Sequence, residues 1–536
     1  MEVATSDTSV EELKARVEQL ESERAELETE RERYRQLYLE VLELARKLEL
    51  GLRGQSSERQ AENDAQLTLQ VLAQLLGSEA EPTPRTTTKV AAHERKGPPG
   101  RRPLPQDLPR VTIEIVPDDV RQKGLDAFER IGEDVSESLM RRSASMVVAR
   151  VVRPKFVPKD RERNAETTVS IADAPELPIP RGIAGPMLLA ETVVKRWDDH
   201  MPLNRLAKIY AREGLDISRS TICKWHIQLA DLVKPLVQAM WIDAMIKAPY
   251  LCMDATGVLV RAEKKCSHGH FWVVVAPGLH VLFAFSHKHD SDAVDTLIKK
   301  LGYKGHLVVD AHSVYDHLFT DGTIIECGCW SHCRRYFCKT LTSEPQLANE
   351  ALALIRELFL IERTLATATP KARKAARQER SRPIVDAFFE WCRSKTDYAL
   401  DDSPLDHALT YALNQEDALR RFLDDGRLPL HNNSSELELR REAIGRKNWL
   451  FVGSDVGAVA NTTLVTLLAS CRIHGIEPQA YLRDLLCVLP TWPARRILEL
   501  APAYWKQTLQ QEDTQRRLDA NVFRQVELGR LHPDTG

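Results

Sequence analysis

The sequence predicts a mixed α/β protein whose strand-rich core is split by a helical insertion, with an N-terminal coiled coil and a helix-turn-helix-like region ahead of it. Three observations lead there. Apolar, β-prone runs crowd residues 250–327: "YLCMDATGVLV", "HGHFWVVVA", "HVLFAFS", "GHLVVDAH" and "TIIECGCW". Residues 343–424 contain no strand-like run and read as helix throughout. Near the N-terminus, Leu13, Val17, Leu20, Leu27, Tyr34, Tyr38, Val41, Ala45 and Leu48 recur at alternating steps of three and four, the apolar seam of a heptad repeat.

The bulk properties narrow the class. A chain of 536 residues has room for several domains and a large core. The acidic, polar N-terminus does not read as a signal peptide, and no apolar run stands out as a membrane span. Ten cysteines scattered over this length do not make a disulfide framework, so reduced thiols and a cytoplasmic location are expected. A net charge of −3 gives no global attraction to nucleic acid, so any such binding has to come from local basic patches.

Taken in order, residues 1–55 are the expected coiled coil, with self-association as its function; Arg24 and Arg31 share the register and weaken its middle. Residues 56–108 read as a linker, basic and rich in Pro, Gly and Thr. Residues 109–175 hold the β-rich runs "RVTIEIV" and "ASMVVARVVRPKFV" and predict a small β-containing domain. Residues 176–245 turn helical. "PLNRLAKIYAREGLDISRSTICKWHIQLADLV" has a turn at Gly214, and Ser218 or Ser220 suits the cap of the second helix. On a helix-turn-helix reading, Arg219, Thr221, Lys224 and Trp225 face DNA; a plain helical hairpin has the same pattern. Residues 246–342 and 425–470 are the two parts of the core, 343–424 the insertion, and 471–536 a helical tail. A meander of three strands followed by alternating helix and strand is the order of a ribonuclease-H-like α/β fold.

The chemistry sits on three acids. Asp254 follows Leu251-Cys252-Met253 and Asp310 follows Leu307-Val308-Val309, so each carboxylate is set against apolar strand. A carboxylate in such a place needs hydrogen bonds or a cation. Glu436, on a helix that opens at "NNSSELELRRE", supplies a third. Hard oxygen donors with open positions suit Mg²⁺ or Mn²⁺, and paired ions of this kind serve in-line displacement at phosphorus. Taken singly, an Asp at a strand end usually caps a loop and a Glu on a helix is usually solvated. Asp290, Asp292 and Asp321 are rivals in polar loops, and Glu438 and Glu442 are rivals on the helix of Glu436. The stretch "ECGCWSHCRRYFC" gathers Cys327, Cys329, His332, Cys333 and Cys338. Its spacings lack two clean C-x-x-C knuckles, so a buried strand-to-helix junction is preferred over zinc. Arg334 and Arg335 then lie near Asp310 in the chain and suit phosphate.

The stretches "IGEDVSESL", "MDAT", "VVDAHSVYDHL", "GCWSHCRRYF", "NNSSELELRREAIGRKNWLFVGSDVGA" and "HGIEPQAYLRDLL" resemble, in order, those of the insertion-sequence 66 family of transposases. The resemblance implies a DDE-type enzyme with a ribonuclease-H-like core. Asp254, Asp310 and Glu436 would be the catalytic, metal-holding triad, with Arg446 and Lys447 near DNA. It implies Mg²⁺-dependent or Mn²⁺-dependent cleavage at element ends, strand transfer into target DNA and, where needed, accessory proteins. The chain departs from the family pattern at Ala255, His431 and Leu437. The family's zinc-binding C-x-x-C pairs would fall near Val120 and Lys123 and near Pro158 and Arg161; none is cysteine, so no zinc is expected in the small domain. A non-catalytic DNA-binding derivative and a nonspecific nuclease are the other readings.

Overall fold

A computed structural model describes residues 108–531 apart from 143–144, 160–168 and 263–264, together with positions 24, 31, 104 and 106. The expected coiled coil and linker lie outside the described residues, except that Arg24 and Arg31 are helical and exposed. Residues 100–536 form one unit.

The first sheet of that unit has strands β1 (Arg110–Glu114), β2 (Phe128–Arg142), β3 (Ser145–Pro158) and β4 (Ser170–Ile171), with the short helix α1 (Asp118–Lys123) between β1 and β2. The order is β1-β3-β2, with β1 parallel and β2 antiparallel to β3, and β4 pairing with β3. The sequence reading expected strands at β1 and β3 only. β2 is rich in Glu, Ser and Asp, which disfavour strands. Its pairing is supported by charges: Arg110 Nε lies 3.0 Å from Glu137 and Lys155 Nζ 2.6 Å from Asp134. Where the family's first cysteine pair would sit, Val120 is fully buried and packs with Phe128 and Phe156. Hydrophobic contact holds this end of the domain together.

Three helices follow, α2 (Pro186–Trp197), α3 (Leu203–Arg212) and α4 (Arg219–Lys247). Ser218 caps α4 by accepting from the Thr221 amide at 3.1 Å. The expected short second helix is in fact 29 residues long and carries Pro235 inside it. Apolar residues of α4 from Ile222 to Met245 belong to the main core, and that packing extends the helix past any hairpin.

The second sheet comprises β5 (Tyr250–Val260), β6 (Ser267–Ala276), β7 (His280–Ser286), β8 (Gly305–Val308) and β9 (Ile324–Cys327), with α5 (Ser291–Val294) after β7. Its order is β7-β6-β5-β8-β9. β5, β6 and β7 are antiparallel neighbours, while β8 and β9 run parallel to β5. Helix α6 (Trp330–Thr340) leaves β9, and the insertion follows as α7 (Pro345–Thr364), α8 (Pro370–Ala376), α9 (Arg382–Lys395), α10 (Pro404–Asn414) and α11 (Glu416–Arg420). Trp330 pins it to the core: its ring meets Phe388, Phe389 and Phe422, and its Nε1 donates to Leu419 O at 2.9 Å. Arg377, from the basic run of the insertion, is fully buried on Glu362 and the carbonyls of Phe422, Asp425 and Leu428.

The chain returns in α12 (Asn433–Trp449) and α13 (Asp455–Ile473) and ends in α14 (Pro478–Val488), α15 (Pro502–Thr508), α16 (Glu512–Ala520) and α17 (Val522–Glu527). Against the sequence reading, α13 is long and apolar enough to cross a membrane, yet most of it is buried inside the protein. Its hydroxyls explain why. Thr466 and Ser470 accept from the amides of Phe283 and Val281 at 2.9 and 3.1 Å, covering the free edge of β7. The tail is not a separate appendage: Phe523 and Val526 of α17 share a core with Val111, Met140 and Val151 of the first sheet.

Candidate active site

β5 and β8 are adjacent and parallel, with Leu251 opposite Leu307 and Cys252 opposite Val308. Asp254 lies two residues beyond Cys252 on β5, and Asp310 two residues beyond Val308, where β8 has ended; the charge of Asp310 is felt at Asp254. Asp310 lies just past the end of β8, and the next residue, Ala311, has φ 62°, a left-handed turn that costs an alanine energy. The chain therefore breaks away sharply at the carboxylate instead of continuing the strand. Asp310 Oδ1 accepts from the His312 amide at 3.3 Å, and Asp254 Oδ1 from the Ala255 amide at 2.7 Å.

Glu436 reaches the same place on the first turn of α12, and Asn432 fixes that turn. Asn432 is fully buried. Its Nδ2 donates to Met253 O at 2.9 Å, and its backbone N–H donates to Cys329 Sγ at 3.1 Å. One residue thus ties α12 to β5, next to Asp254, and to the β9–α6 junction. Asn432 occupies the N-cap position of α12 without a side-chain cap bond, and its side-chain N–H is given to β5. Glu436 Oε1 receives Arg335 Nη2 at 3.2 Å and lies 3.4 Å from His332 Nε2.

Asp254 senses the other two acids. Burial pushes the Asp254 carboxyl up to about 7; the charges of Asp310 and Glu436 push the same way, and the Ala255 amide and Arg335 only partly oppose them. Burial also pulls the His332 imidazole down, with the Arg335 charge beside it. As a donor set, two carboxylates beside one carboxyl that resists ionisation suit a hard divalent cation. As they stand, no three His, Cys, Asp or Glu side chains among the described residues are grouped closely enough to hold a metal ion.

The rival acids go elsewhere. Glu438 and Glu442 are buried on the opposite face of α12 from Glu436, as a period of 3.6 demands. Glu442 accepts from Asn461 Nδ2 at 3.1 Å, and burial raises both carboxyls. Asp290 caps α5, and Asp321 closes a turn on Thr323. The cysteines form a packed junction. Cys327, Cys329 and Cys333 are buried, and burial drives their thiols upward, away from the thiolate that zinc requires.

Among the residues expected to meet DNA, Arg219, Lys224, Arg334, Arg335 and Lys447 are exposed, and Thr221 is half-buried. Arg446 is half-buried and donates to Gly257 O on β5. Trp225 is corrected: it is 5% exposed and packs in the main core, so it presents no face to a duplex. Sequence reasoning missed Asn432 as the tether and His332 as a neighbour of Glu436. The paired asparagines are visible in the sequence, but only the fold reveals that the side chain at the start of α12 reaches back to β5.

The family model described as "Transposase IS66 family" matches residues 181–460, "IS66 C-terminal element" matches 466–503, and "Transposase C of IS166 homeodomain" matches 42–113. Similar proteins include "Uncharacterized protein y4hP" of Sinorhizobium fredii, 31% identical over 86% of this chain and 87% of that one. "Uncharacterized protein y4qI" of the same organism is 30% identical over 70% and 72% of the two chains.

Proposed function

The chain belongs to the IS66 transposase family, and from that premise we propose that it is a DDE-type DNA transposase, cutting phosphodiesters at the ends of a mobile element and joining them to target DNA. The observation that carries this reading is Asp254. Its carboxyl stands near 7 through burial and because two further acids, Asp310 and Glu436, face it from separate segments. A protein has little reason to gather such charge unless a cation is to enter it. The strand order, three antiparallel strands followed by two parallel ones, supports the ribonuclease-H-like assignment for residues 246–342 and 425–470.

Asp254, Asp310 and Glu436 would hold Mg²⁺ or Mn²⁺, which when bound supplies Lewis-acid stabilisation of the phosphoryl oxygens in an in-line displacement. For that, Glu436 must exchange its partner: it gives up Arg335 and turns toward the aspartates. Arg335, once released, is free to meet the scissile phosphate. Asp254, whose carboxyl stands at about 7 in the free protein, would have to be ionised to serve as a ligand. Asn432 keeps α12 in register with β5 throughout. Arg219, Thr221, Lys224, Arg334, Arg446 and Lys447 are the proposed phosphate contacts, so binding weakens steeply with salt. Residues 1–55 are the proposed pairing segment that holds two element ends together.

A second reading has one observation in its favour. Glu436 is occupied by Arg335 and His332, and the acids are not grouped as metal ligands. A non-catalytic DNA-binding derivative fits that arrangement. Incubation with DNA carrying the element's ends, with and without Mg²⁺, separates the two. The transposase reading expects metal-dependent nicking at the ends, abolished by Asp254→Asn, Asp310→Asn or Glu436→Gln with DNA binding kept. Binding without any cleavage selects the derivative, and cutting without preference for the ends selects a nuclease.

A further inference from the structure

Beside the acidic site, between α6 and α7, lies a groove of about 380 Å³ lined by Ser331, Arg334, Leu352, Arg356, Phe359 and Asn433. Its volume falls within the range of small-ligand sites. Three features give it chemistry. Arg334 and Arg356 are exposed, and neither has an ion-pair partner among the described residues, so two guanidinium groups meet at one groove without a carboxylate. Phe359 contributes a half-buried ring whose other neighbour is His431, at 5.8 Å between centroids and 11° between planes. Burial lowers the His431 imidazole from its ordinary value, which favours its uncharged form. Asn433 opens α12, three residues before Glu436, so the groove and the acids share one helical turn.

Resting on the transposase reading, we propose that this groove seats one nucleotide of a single DNA strand as it leaves the acidic site, with its base on Phe359 and its phosphates on Arg334 and Arg356. Paired strands present no free base face, whereas an unpaired base stacks on any aromatic ring and needs only a cation pair to track its backbone. Continuity runs through α12: Asn433 lines the groove, and Glu436, on the same helix face three residues on, holds Arg335. The helical insertion, through α7, would act as the outer wall of the strand's path.

The test is fluorescence anisotropy of a short single-stranded DNA with the full-length protein in EDTA, where no cleavage occurs. Phe359→Ala is expected to weaken binding about tenfold, while Phe359→Trp retains it. Arg334→Ala with Arg356→Ala is expected to reduce the slope of log affinity against log salt by about 1.4, two phosphates' worth on a single strand. An oligonucleotide with 2-aminopurine scanned along it should show one quenched position, lost in Phe359→Ala. Unchanged affinity and salt slope in these variants, with wild-type protein binding well, overturn the groove and leave the cleavage reading standing. Failure of the wild-type protein to bind any DNA overturns both.

Discussion

Asp254→Asn should make the metal-free protein more stable while removing its activity. The aspartate side chain is half-buried and its carboxyl stands at about 7 instead of 3.8, held there by burial and by Asp310 and Glu436. A folded-state value above the unfolded one means that the native protein keeps a proton that the unfolded chain has already lost. Stability at this site is therefore fully present below pH 4 and falls as pH rises toward 7. At about 1.36 kcal/mol per pH unit, three units give a ceiling of about 4 kcal/mol. Partial solvent access reduces this to about 1–3 kcal/mol. Asparagine keeps the acceptor for the Ala255 amide and carries no charge, so it recovers this loss. Thermal melting in EDTA is the assay. The variant should melt several degrees above wild type at pH 8.5, and the gain should vanish at pH 4. Saturating Mg²⁺ at pH 8.5 should narrow the gap by stabilising wild type alone. A gain that is absent, or equal at both pH values, would refute the claim that burial, with two like charges beside it, raises the Asp254 carboxyl.

The other expectations use the same neighbourhood. Asn432→Ala removes the bond to Met253 O and should cost about 1–3 kcal/mol in melting experiments, with end cleavage falling at least tenfold because α12 loses its tether. Glu442→Ala removes the buried acceptor of Asn461 Nδ2 and should cost about 1–3 kcal/mol while cleavage persists at low temperature. Glu436→Gln should do the reverse, and matching profiles for the two would mean the faces of α12 have been misassigned. Arg335→Ala frees Glu436 from a solvent-exposed pair worth about 0.2–1 kcal/mol. At pH 8.5, where Asp254 is ionised, it should lower the Mn²⁺ concentration for half-saturation about two- to fivefold by calorimetry.

The elements legible in the sequence are those whose pattern is carried by apolar residues. The strands of the second sheet stand out because their interiors are runs of apolar, β-prone residues, and the helical insertion because it has no such run. β2 stays hidden, since a strand built from Glu, Ser and Asp is stabilised by partners such as Arg110 and Lys155 that lie far away in the chain. Trp225 misleads for a related reason. Its neighbours Arg219 and Lys224 are polar, and only the packing of α4 shows that the ring turns inward. In the site, Asp254 and Asp310 are visible as acids set against apolar strand, whereas choosing Glu436 over Glu438 and Glu442 requires a resemblance. The fold supplies the physical distinction: the two rivals sit in a buried network behind the helix, and Glu436 faces Arg335. The tether of Asn432 to Met253, 179 residues away, leaves no local trace at all.

Anomalous diffraction from crystals of the protein with Mn²⁺ and element-end DNA would decide whether the three acids share a cation. If they do, manganese lies within about 2.2 Å of carboxylate oxygens from Asp254, Asp310 and Glu436, with Arg335 withdrawn from Glu436. Manganese bound elsewhere, or an empty site with Glu436 still on Arg335 beside bound DNA, would contradict it.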